Sequence, residues 1–329
     1  MKRNKRVILV AAPTFPKDWF APLDRVAKIL YMEDMRESDI DEALPEITGI
    51  IFHLWPENIN SDRLSKMKGL EIIQAMRGGT EDVPFNSLGP HVKVYNNVGA
   101  YSTEVAEHAM ALLLAAAKRI VQFNFSSKVR SKTTFTFSER TRGLKTLKGS
   151  TLGILGYGSI GRPVAEYAQA FGINVCAYVR HRQKGRSVRF YFGRRGLEQM
   201  LRSCDELILA LPFTKTTSRM IGRSELEMMK TNAIVVNVGR GEIVDPVVLY
   251  EWMKSNPDFV YATDVWWIDG GKEAFAHSLP FVTLENFIAT PHVSGPTAMV
   301  SGSQPAAAVE NMIRFYSGRT PRNRVLSSN

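Results

Sequence analysis

The chain has 329 residues, of which 44% are hydrophobic and 22% charged, a composition that excludes fibrous and disordered classes and allows one large or two ordinary domains. No apolar run approaches the ~20 residues of a membrane span, and two cysteines are too few for a disulfide framework or a metal cluster. We therefore expect a cytoplasmic protein without a metal or a membrane partner. The net charge of +10 leaves nucleic acid open as a partner.

The first hundred residues alternate between apolar runs of strand length and segments with helical spacing. The predicted strands are Val7–Ala11, Gly49–His53, Leu70–Ala75 and Val92–Tyr95. The predicted helices are Pro22–Tyr31 and Ser61–Lys68. This alternation is typical of an α/β unit of about 95 residues.

A long Ala- and Leu-rich segment follows, and its pattern differs from everything before it. Tyr101–Ile120 contains few polar residues, which predicts a helix buried on most sides, in a core or a subunit interface. The next segment, Gln122–Gly149, is a Ser- and Thr-rich connector, and much of the positive charge lies here.

Strands and helices then alternate a second time. The predicted strands are Thr151–Leu155, Asn174–Val179, Glu206–Leu211, Ala233–Val238, Val260–Thr263 and Asn286–Thr290. The predicted helices are Ser159–Phe171, Leu197–Ser203, Arg223–Met229, Pro246–Lys254 and, near the end of the chain, Pro305–Tyr316. Strands joined by helical crossovers predict a doubly wound parallel sheet.

A glycine loop follows the first strand of this second run and opens a helix. Gly156 allows a tight turn, Gly158 lets the backbone approach a pyrophosphate, and Gly161 lets the helix pack on the sheet. The backbone amides of Ser159 and Ile160 lie at the helix start, where free N–H groups bind phosphate oxygens. A GxGxxG motif alone is weak, but in this context it indicates a dinucleotide site.

The end of the next strand indicates which dinucleotide is bound. An acid usually stands there to accept the ribose hydroxyls, but this chain has Val179, followed by Arg180 and Arg182. Guanidinium groups pair with a 2′-phosphate, which a carboxylate would repel. We therefore expect NADP(H) to be preferred over NAD(H).

Arginine, carboxylate and histidine each follow a predicted strand end in the same run. Arg240 stands between two glycines, Asp264 and Asp269 follow the next strand, and His292 follows a proline after the last. Because parallel strands end at one edge of a sheet, these side chains are expected along a common edge.

With these residues, further motifs resemble the D-isomer-specific 2-hydroxyacid dehydrogenase family from about Leu70 to Gly295. Those motifs include Asn97-Val98-Gly99-Ala100-Tyr101, Leu211-Pro212-Phe213-Thr214-Lys215-Thr216-Thr217 and the block from Met228 to Asp245. The resemblance implies an α/β fold of two Rossmann-like domains with doubly wound parallel sheets. A dinucleotide-binding domain, residues 99–292, is inserted into a flavodoxin-like substrate domain, residues 1–98 plus 293–329.

The resemblance also implies a catalytic set. Arg240 would bind the substrate carboxylate and carbonyl, and His292 would be the general acid–base. The family's carboxylate partner of that histidine, usually Glu, falls 29 residues after the arginine, which is Asp269 here. Glu273 is the alternative partner, since Gly270-Gly271 could redirect the loop.

The remaining roles implied by the resemblance concern binding. Asp264 and the Val238 carbonyl would bind the nicotinamide carboxamide, and Pro212 and Thr217 would line the adenosine side. The loop expected to hold the substrate carboxylate contains Arg77, Gly79 and Thr80.

The function expected from this resemblance is NADPH-dependent reduction of a small 2-oxo acid, with glyoxylate or hydroxypyruvate as substrate and NAD also possible as cofactor. D-lactate or D-3-phosphoglycerate oxidation is the nearest alternative. A dinucleotide-sensing corepressor or a nucleic-acid-binding protein is the alternative from another class, although nucleic acid requires a continuous basic face with stacking aromatics. The family dimerises through the region of the long helix, so a homodimer is expected.

Overall fold

The chain divides into two compact units, Met1–Tyr101 with Pro296–Asn329 and Ser102–Gly295. The first junction lies three residues later than predicted, between Tyr101 and Ser102, where the long helix begins, and the second lies between Gly295 and Pro296, also three residues later. The computed structural model describes residues 6–80, 82–128, 134–183, 185, 187–269, 272–273, 278–295 and 302–325.

Strands and helices alternate through both units. The strands are β1 (Val7–Ala11), β2 (Lys28–Tyr31), β3 (Gly49–Phe52), β4 (Ile72–Ala75), β5 (Lys93–Tyr95), β6 (Thr151–Leu155), β7 (Asn174–Tyr178), β8 (Arg189–Tyr191), β9 (Glu206–Leu209), β10 (Ile234–Asn237), β11 (Val260–Thr263), β12 (Ile268–Asp269), β13 (Lys272–Glu273), β14 (Phe287–Ala289) and β15 (Arg324–Val325). The α-helices are α1 (Glu37–Ala43), α2 (Ser61–Lys66), α3 (Ser102–Ala117), α4 (Ile120–Lys128), α5 (Phe137–Thr141), α6 (Gly161–Ala170), α7 (Gly193–Ser203), α8 (Arg223–Met228), α9 (Pro246–Ser255) and α10 (Ser303–Tyr316).

The sheet of the first unit has the strand order β15-β5-β4-β3-β1-β2. All pairs are parallel except β15 with β5, so the parallel part has the flavodoxin-like order. Alternate residues of β1 enter different cores, Ile8 and Val10 beside α10, Val7 and Leu9 beside α1 and α2. Both faces of the sheet are therefore covered, as parallel sheets require.

One predicted helix of this unit is wrong. The segment Pro22–Tyr31 forms a short 3-10 turn, Ala21–Arg25, and then strand β2. Its helical spacing is outweighed by parallel pairing with β1, which places Ile29 beside Ile8 and Tyr31 beside Val10.

The sheet of the second unit is entirely parallel, in the order β14-β11-β10-β9-β6-β7-β8. The chain reverses its direction of travel across the sheet between β6 and β9. This is the doubly wound dinucleotide-binding arrangement with one added strand, and ligands bind it outside the carboxyl ends of the strands near the reversal.

The long helix is shorter than predicted and packs against α6, β10 and β11. α3 ends at Ala117 because Arg119 has a left-handed backbone, with φ of 51°. A separate short helix, α4, begins at Ile120 and runs into the predicted connector, and a second, α5, lies within it. Within the described ranges, no helix has both the length and the apolar character to cross a membrane.

Candidate active site

The glycine loop between β6 and α6 has the crowded and the open glycine positions that a dinucleotide-binding loop requires. Gly156 has φ of +100°, and a Cβ there would lie 2.7 Å from the Ala210 carbonyl oxygen. A Cβ on Gly161 would lie 2.0 Å from the Gly156 carbonyl oxygen, so only glycine allows the helix to start so close to the turn. Gly158, in contrast, faces open space. The crowded glycines shape the turn, and the open one leaves access for a pyrophosphate.

The segment after β7 presents basic side chains in place of a carboxylate. Val179 is buried and its N–H donates to the Tyr191 carbonyl on the neighbouring strand, at 2.9 Å. Arg180 and Arg182 are exposed. The guanidinium carbon of Arg182 lies 4.8 Å from the ring centroid of Phe192, a cation–π arrangement that limits the arginine's freedom. Strand β8, which carries Tyr191, was not predicted; its three residues lie within the basic run Arg180–Arg195, which contains seven basic residues and no acid.

Pro212 and Thr217 belong to one closed turn after β9. The Thr217 hydroxyl donates to the Pro212 carbonyl oxygen at 2.7 Å, and the Thr214 N–H donates to the Thr217 Oγ1 at 2.8 Å. The turn therefore places these two predicted adenosine-side residues together.

Arg240 is held in place by a buried asparagine that the sequence did not single out. The Asn237 amide donates to the Arg240 carbonyl at 2.9 Å, and its Oδ1 accepts the Gly239 N–H at 3.0 Å. Nη1 of Arg240 donates to the Gly239 carbonyl at 2.8 Å. A Cβ on Gly241 would lie 2.3 Å from the Trp266 carbonyl oxygen, so the loop packs too closely for a larger residue. Val238, next to Asn237, is also buried.

Asp264 holds the loop that carries His292. Its carboxylate is fully buried, where Oδ1 accepts the Thr290 hydroxyl at 2.6 Å and the Val293 N–H at 2.9 Å. Oδ2 accepts the Ser294 N–H at 2.9 Å. These bonds bracket His292, whose backbone is left-handed with φ of 53°. A left-handed histidine needs such support, because this region is unfavourable for side chains with a Cβ. The contact of Asp264 with a nicotinamide carboxamide stays a prediction.

His292 has Glu273 as its carboxylate partner, with Nδ1 2.7 Å from Oε2. The other carboxylate oxygen of Glu273 accepts the Trp266 N–H at 2.6 Å, and the Trp266 indole N–H donates to the Thr290 carbonyl at 2.9 Å. The partner is thus the alternative predicted, because an antiparallel pairing of β12 with β13 folds the chain back and sets Glu273 opposite Ile268. The side chain of Asp269, the first choice, lies outside the described residues.

The loop that is predicted to hold the substrate carboxylate follows β4 in the first unit. Arg77 forms an ion pair with Asp82, whose Oδ2 also accepts the Trp55 N–H at 2.9 Å. The Arg77 Nε is buried, with no hydrogen-bond partner among the described residues. Gly79 and Thr80 complete the loop, whose backbone bends over residues 76–78, directly after β4 ends at Ala75.

Comparison with known proteins places these features in a family context. The sequence profile described as "D-isomer specific 2-hydroxyacid dehydrogenase, NAD binding domain" matches residues 110–294. A glyoxylate reductase of Aeropyrum pernix is 33% identical over 282 residues, which cover 84% of this chain and 82% of the relative. A hydroxypyruvate reductase of Thermotoga maritima is 29% identical, covering 84% and 90%. A crystal structure of a Thermus thermophilus protein superposes with a TM-score of 0.78 at 26% identity, covering 98% and 100%.

Proposed function

We propose a reaction for this chain from the premise that it belongs to the D-isomer specific 2-hydroxyacid dehydrogenase family. The chain is an oxidoreductase that acts on the CH–OH group of a 2-hydroxy acid with a nicotinamide dinucleotide. The finer proposal is that it reduces a small 2-oxo acid with NADPH, either glyoxylate to glycolate, which is achiral, or hydroxypyruvate to the D-hydroxy acid. The names of the Aeropyrum and Thermotoga relatives support this choice of substrates.

The residues of the second unit fit a dinucleotide. The open face at Gly158 and the start of α6 would hold the pyrophosphate, with the amides of Ser159 and Ile160 as donors. Pro212 and Thr217 would border the adenosine, and Asp264 and the Val238 carbonyl would face the carboxamide. When bound, the reduced nicotinamide supplies the hydride for the carbonyl carbon.

His292 handles the proton. Its Nδ1 faces Glu273, which leaves Nε2 as the nitrogen directed to the substrate, and the side chain is 42% exposed. In reduction Nε2 donates its proton to the carbonyl oxygen, and in oxidation it takes the proton back from the hydroxyl. Glu273 orients the imidazole and stabilises the imidazolium by its negative charge, in the way a carboxylate supports a catalytic histidine.

Arg240 of the second unit binds the substrate's anionic end. The planar guanidinium of Arg240 suits a 2-oxo acid, because two of its five N–H groups can meet the carboxylate and the carbonyl oxygen together. For the loop after β4 of the first unit, the proposal taken by itself is that the backbone of Gly79 and Thr80, together with Arg77, binds a substrate carboxylate. The positive net charge adds a salt-dependent attraction for anionic substrates.

The observation that carries the proposal is the His292–Glu273 pair. His292 follows β14 and Arg240 follows β10, so both residues lie where strands of one parallel sheet have their carboxyl ends.

The test is oxidation of NADPH and NADH, followed at 340 nm (the wavelength at which the reduced cofactors absorb), with a panel of 2-oxo acids. We expect the highest kcat/KM with glyoxylate or hydroxypyruvate. A preference for pyruvate or 3-phosphohydroxypyruvate would instead favour the D-lactate or D-3-phosphoglycerate alternative. Absence of turnover with every acid, together with a salt-sensitive shift of DNA, would favour the corepressor or nucleic-acid alternative.

NADPH is proposed over NADH because exposed Arg180 and Arg182 stand where a carboxylate would bind the adenosine ribose. The ratio of kcat/KM for the two cofactors tests this directly. We expect at least a tenfold advantage for NADPH, and a tenfold preference for NADH would contradict the assignment.

A homodimer is proposed on the exposed apolar surface that follows α3. Ile120, Val121 and Phe125 on α4 are 57%, 43% and 47% exposed, and Phe137 on α5 is 75% exposed. Several large apolar side chains left exposed on two short helices close in sequence are typical of an association surface. Light scattering should give a dimer mass, and Ile120→Glu should reduce it. Val282→Glu, at a 73% exposed position elsewhere, is the matched control and should leave the dimer intact.

A further inference from the structure

His108 reaches the loop of His292 from a different element of the second unit. It lies on α3, far from the catalytic histidine in sequence, and its side chain is 21% exposed. Its Nε2 lies 2.9 Å from the Thr290 hydroxyl and 3.5 Å from Oδ1 of Asp264. The three side chains therefore form one cluster beneath the loop.

The direction of these hydrogen bonds follows from the number of available protons. The carboxylate of Asp264 accepts only, so the single hydroxyl proton of Thr290 goes to Oδ1, 2.6 Å away. The Thr290 oxygen must then accept from His108, which places a proton on Nε2 of that imidazole. The chain of donors runs from His108 to Thr290 to Asp264.

Asp264, which ends this chain of donors, also holds the backbone that follows His292. Asp264 accepts from the N–H groups of Val293 and Ser294, immediately after His292. Thr290, two residues before His292, is also held by the Trp266 indole through its carbonyl. The left-handed backbone of His292 is thus fixed from both sides, and α3 supplies one of the fixed points.

We propose that His108 is a positioning residue for His292 and acts through Thr290 and Asp264. It does not touch substrate or cofactor in this role. Loss of its N–H would leave the Thr290 hydroxyl free to turn away from Asp264 and would relax the strained loop. The inference rests on the proposed acid–base role of His292, because only then does the placement of that imidazole limit the rate.

The test compares His108→Leu, which removes the donor, with His108→Gln, which retains an N–H donor at similar reach. His108→Leu should lower kcat about tenfold while the KM of the 2-oxo acid and the dissociation constant of NADPH stay within about twofold, since misplacement of a catalytic group mainly affects the chemical step. His108→Gln should stay within about threefold of the wild-type kcat. His91→Leu, the same change at an exposed histidine of the first unit, is the matched control and should be wild-type.

A double-mutant cycle tests the path of the effect. If His108 acts through Thr290, His108→Leu combined with Thr290→Val should be no slower than the slower single variant, whereas independent effects would multiply. A wild-type kcat in His108→Leu, an equal loss in His108→Gln, or multiplied losses in the double variant would each overturn the proposal. Should His108→Leu not fold, Thr290→Val against Thr290→Ser decides, with only the former expected to be slow.

His292→Ala, assayed in parallel, separates this proposal from the proposed function. Loss of turnover in His292→Ala with a normal His108→Leu would refute the positioning role alone. Normal turnover in His292→Ala would refute the acid–base assignment, and with it the basis of the positioning role.

Discussion

Nδ1 of His292 and Oε2 of Glu273 lie 2.7 Å apart and form a hydrogen bond, although the two residues are 19 positions apart in the chain. The other oxygen of this carboxylate is occupied by the Trp266 N–H, so the glutamate is held from both ends. A carboxylate fixed in this way can set both the tautomer and the orientation of the imidazole, and this relationship leads to the first prediction.

Glu273→Gln should lower kcat by about 10- to 100-fold with little change in the KM of the oxo acid, because the amide cannot stabilise an imidazolium by charge. Asp269→Asn is the comparison that decides between the two candidate carboxylates, and we expect it to keep a kcat within threefold of the wild type. Steady-state kinetics with NADPH and the best oxo acid measures both. Reversed effects of the two substitutions would assign the role to Asp269.

The Glu273 partnership also shows what the sequence can predict. The glycine loop, Arg240 and His292 are recognisable because each role depends on a short segment after a strand. The choice between Asp269 and Glu273 depends instead on the pairing of β12 with β13, which no local motif reports. The sequence therefore predicted the two candidate carboxylates, but it could not predict which of them contacts His292.

Tertiary pairing explains the other differences as well. Asn237 and Thr290 were not singled out as site residues because their partners come from other loops, and polar residues at strand ends are common. Strand β2 was taken for a helix because pairing with β1, which the spacing does not reveal, decides its conformation. The alternation of strands and helices, in contrast, is repeated often enough to predict two α/β units.

Gly161→Ala should destabilise the protein, whereas Gly158→Ala should not. The first would bring a methyl group 2.0 Å from the Gly156 carbonyl oxygen, and both atoms belong to backbone that must shift. The second places its methyl group in open space. We expect a loss of more than about 2 kcal/mol in unfolding free energy for Gly161→Ala and near wild-type stability for Gly158→Ala, measured by denaturant unfolding without cofactor.

Gly158→Ala should nevertheless weaken cofactor binding, since its methyl group would occupy the space proposed for the pyrophosphate. Fluorescence titration with NADPH should show a rise in Kd of about tenfold or more. Unchanged affinity in this variant would mean that the dinucleotide does not approach the backbone at this glycine.

Arg182→Ser should reduce kcat/KM for NADPH by about 10- to 100-fold, the loss expected from one charge-assisted pair with a phosphate. The value for NADH should stay within about twofold, because NADH lacks the 2′-phosphate. Arg195→Ser, at an exposed position of the same basic run, controls for the general loss of positive charge. An equal fall for both cofactors would indicate a role in the shape of the loop rather than in phosphate recognition.

The last prediction concerns Glu206, a buried carboxyl at the start of β9, at the opposite end of the strand from the candidate active site. Burial raises its pKa from 4.5 to about 7, against the opposing effect of a hydrogen bond from Ser150, 2.8 Å away. Lys145, Asp205 and Lys230 are the charged groups around it. Burial lowers the pKa of the Lys145 ammonium, and the ion pair with Lys230 contributes to lowering that of Asp205.

The sign of the effect follows from the order of the two pKa values. Between pH 4.5 and about 7 the folded chain keeps the Glu206 proton and the unfolded chain has lost it, so stability falls as the pH rises across this window. The shift corresponds to about 3 kcal/mol in unfolding free energy.

Glu206→Gln imitates the protonated form and can still accept from Ser150. The variant should therefore match the wild type near pH 4.5 and exceed it increasingly up to pH 8 in urea unfolding, whereas Glu166→Gln, at an exposed position of α6, should show no such divergence. A constant difference between Glu206→Gln and the wild type across this range would mean that Glu206 is already ionised in the folded chain at pH 5, with Lys145 or Lys230 compensating its burial.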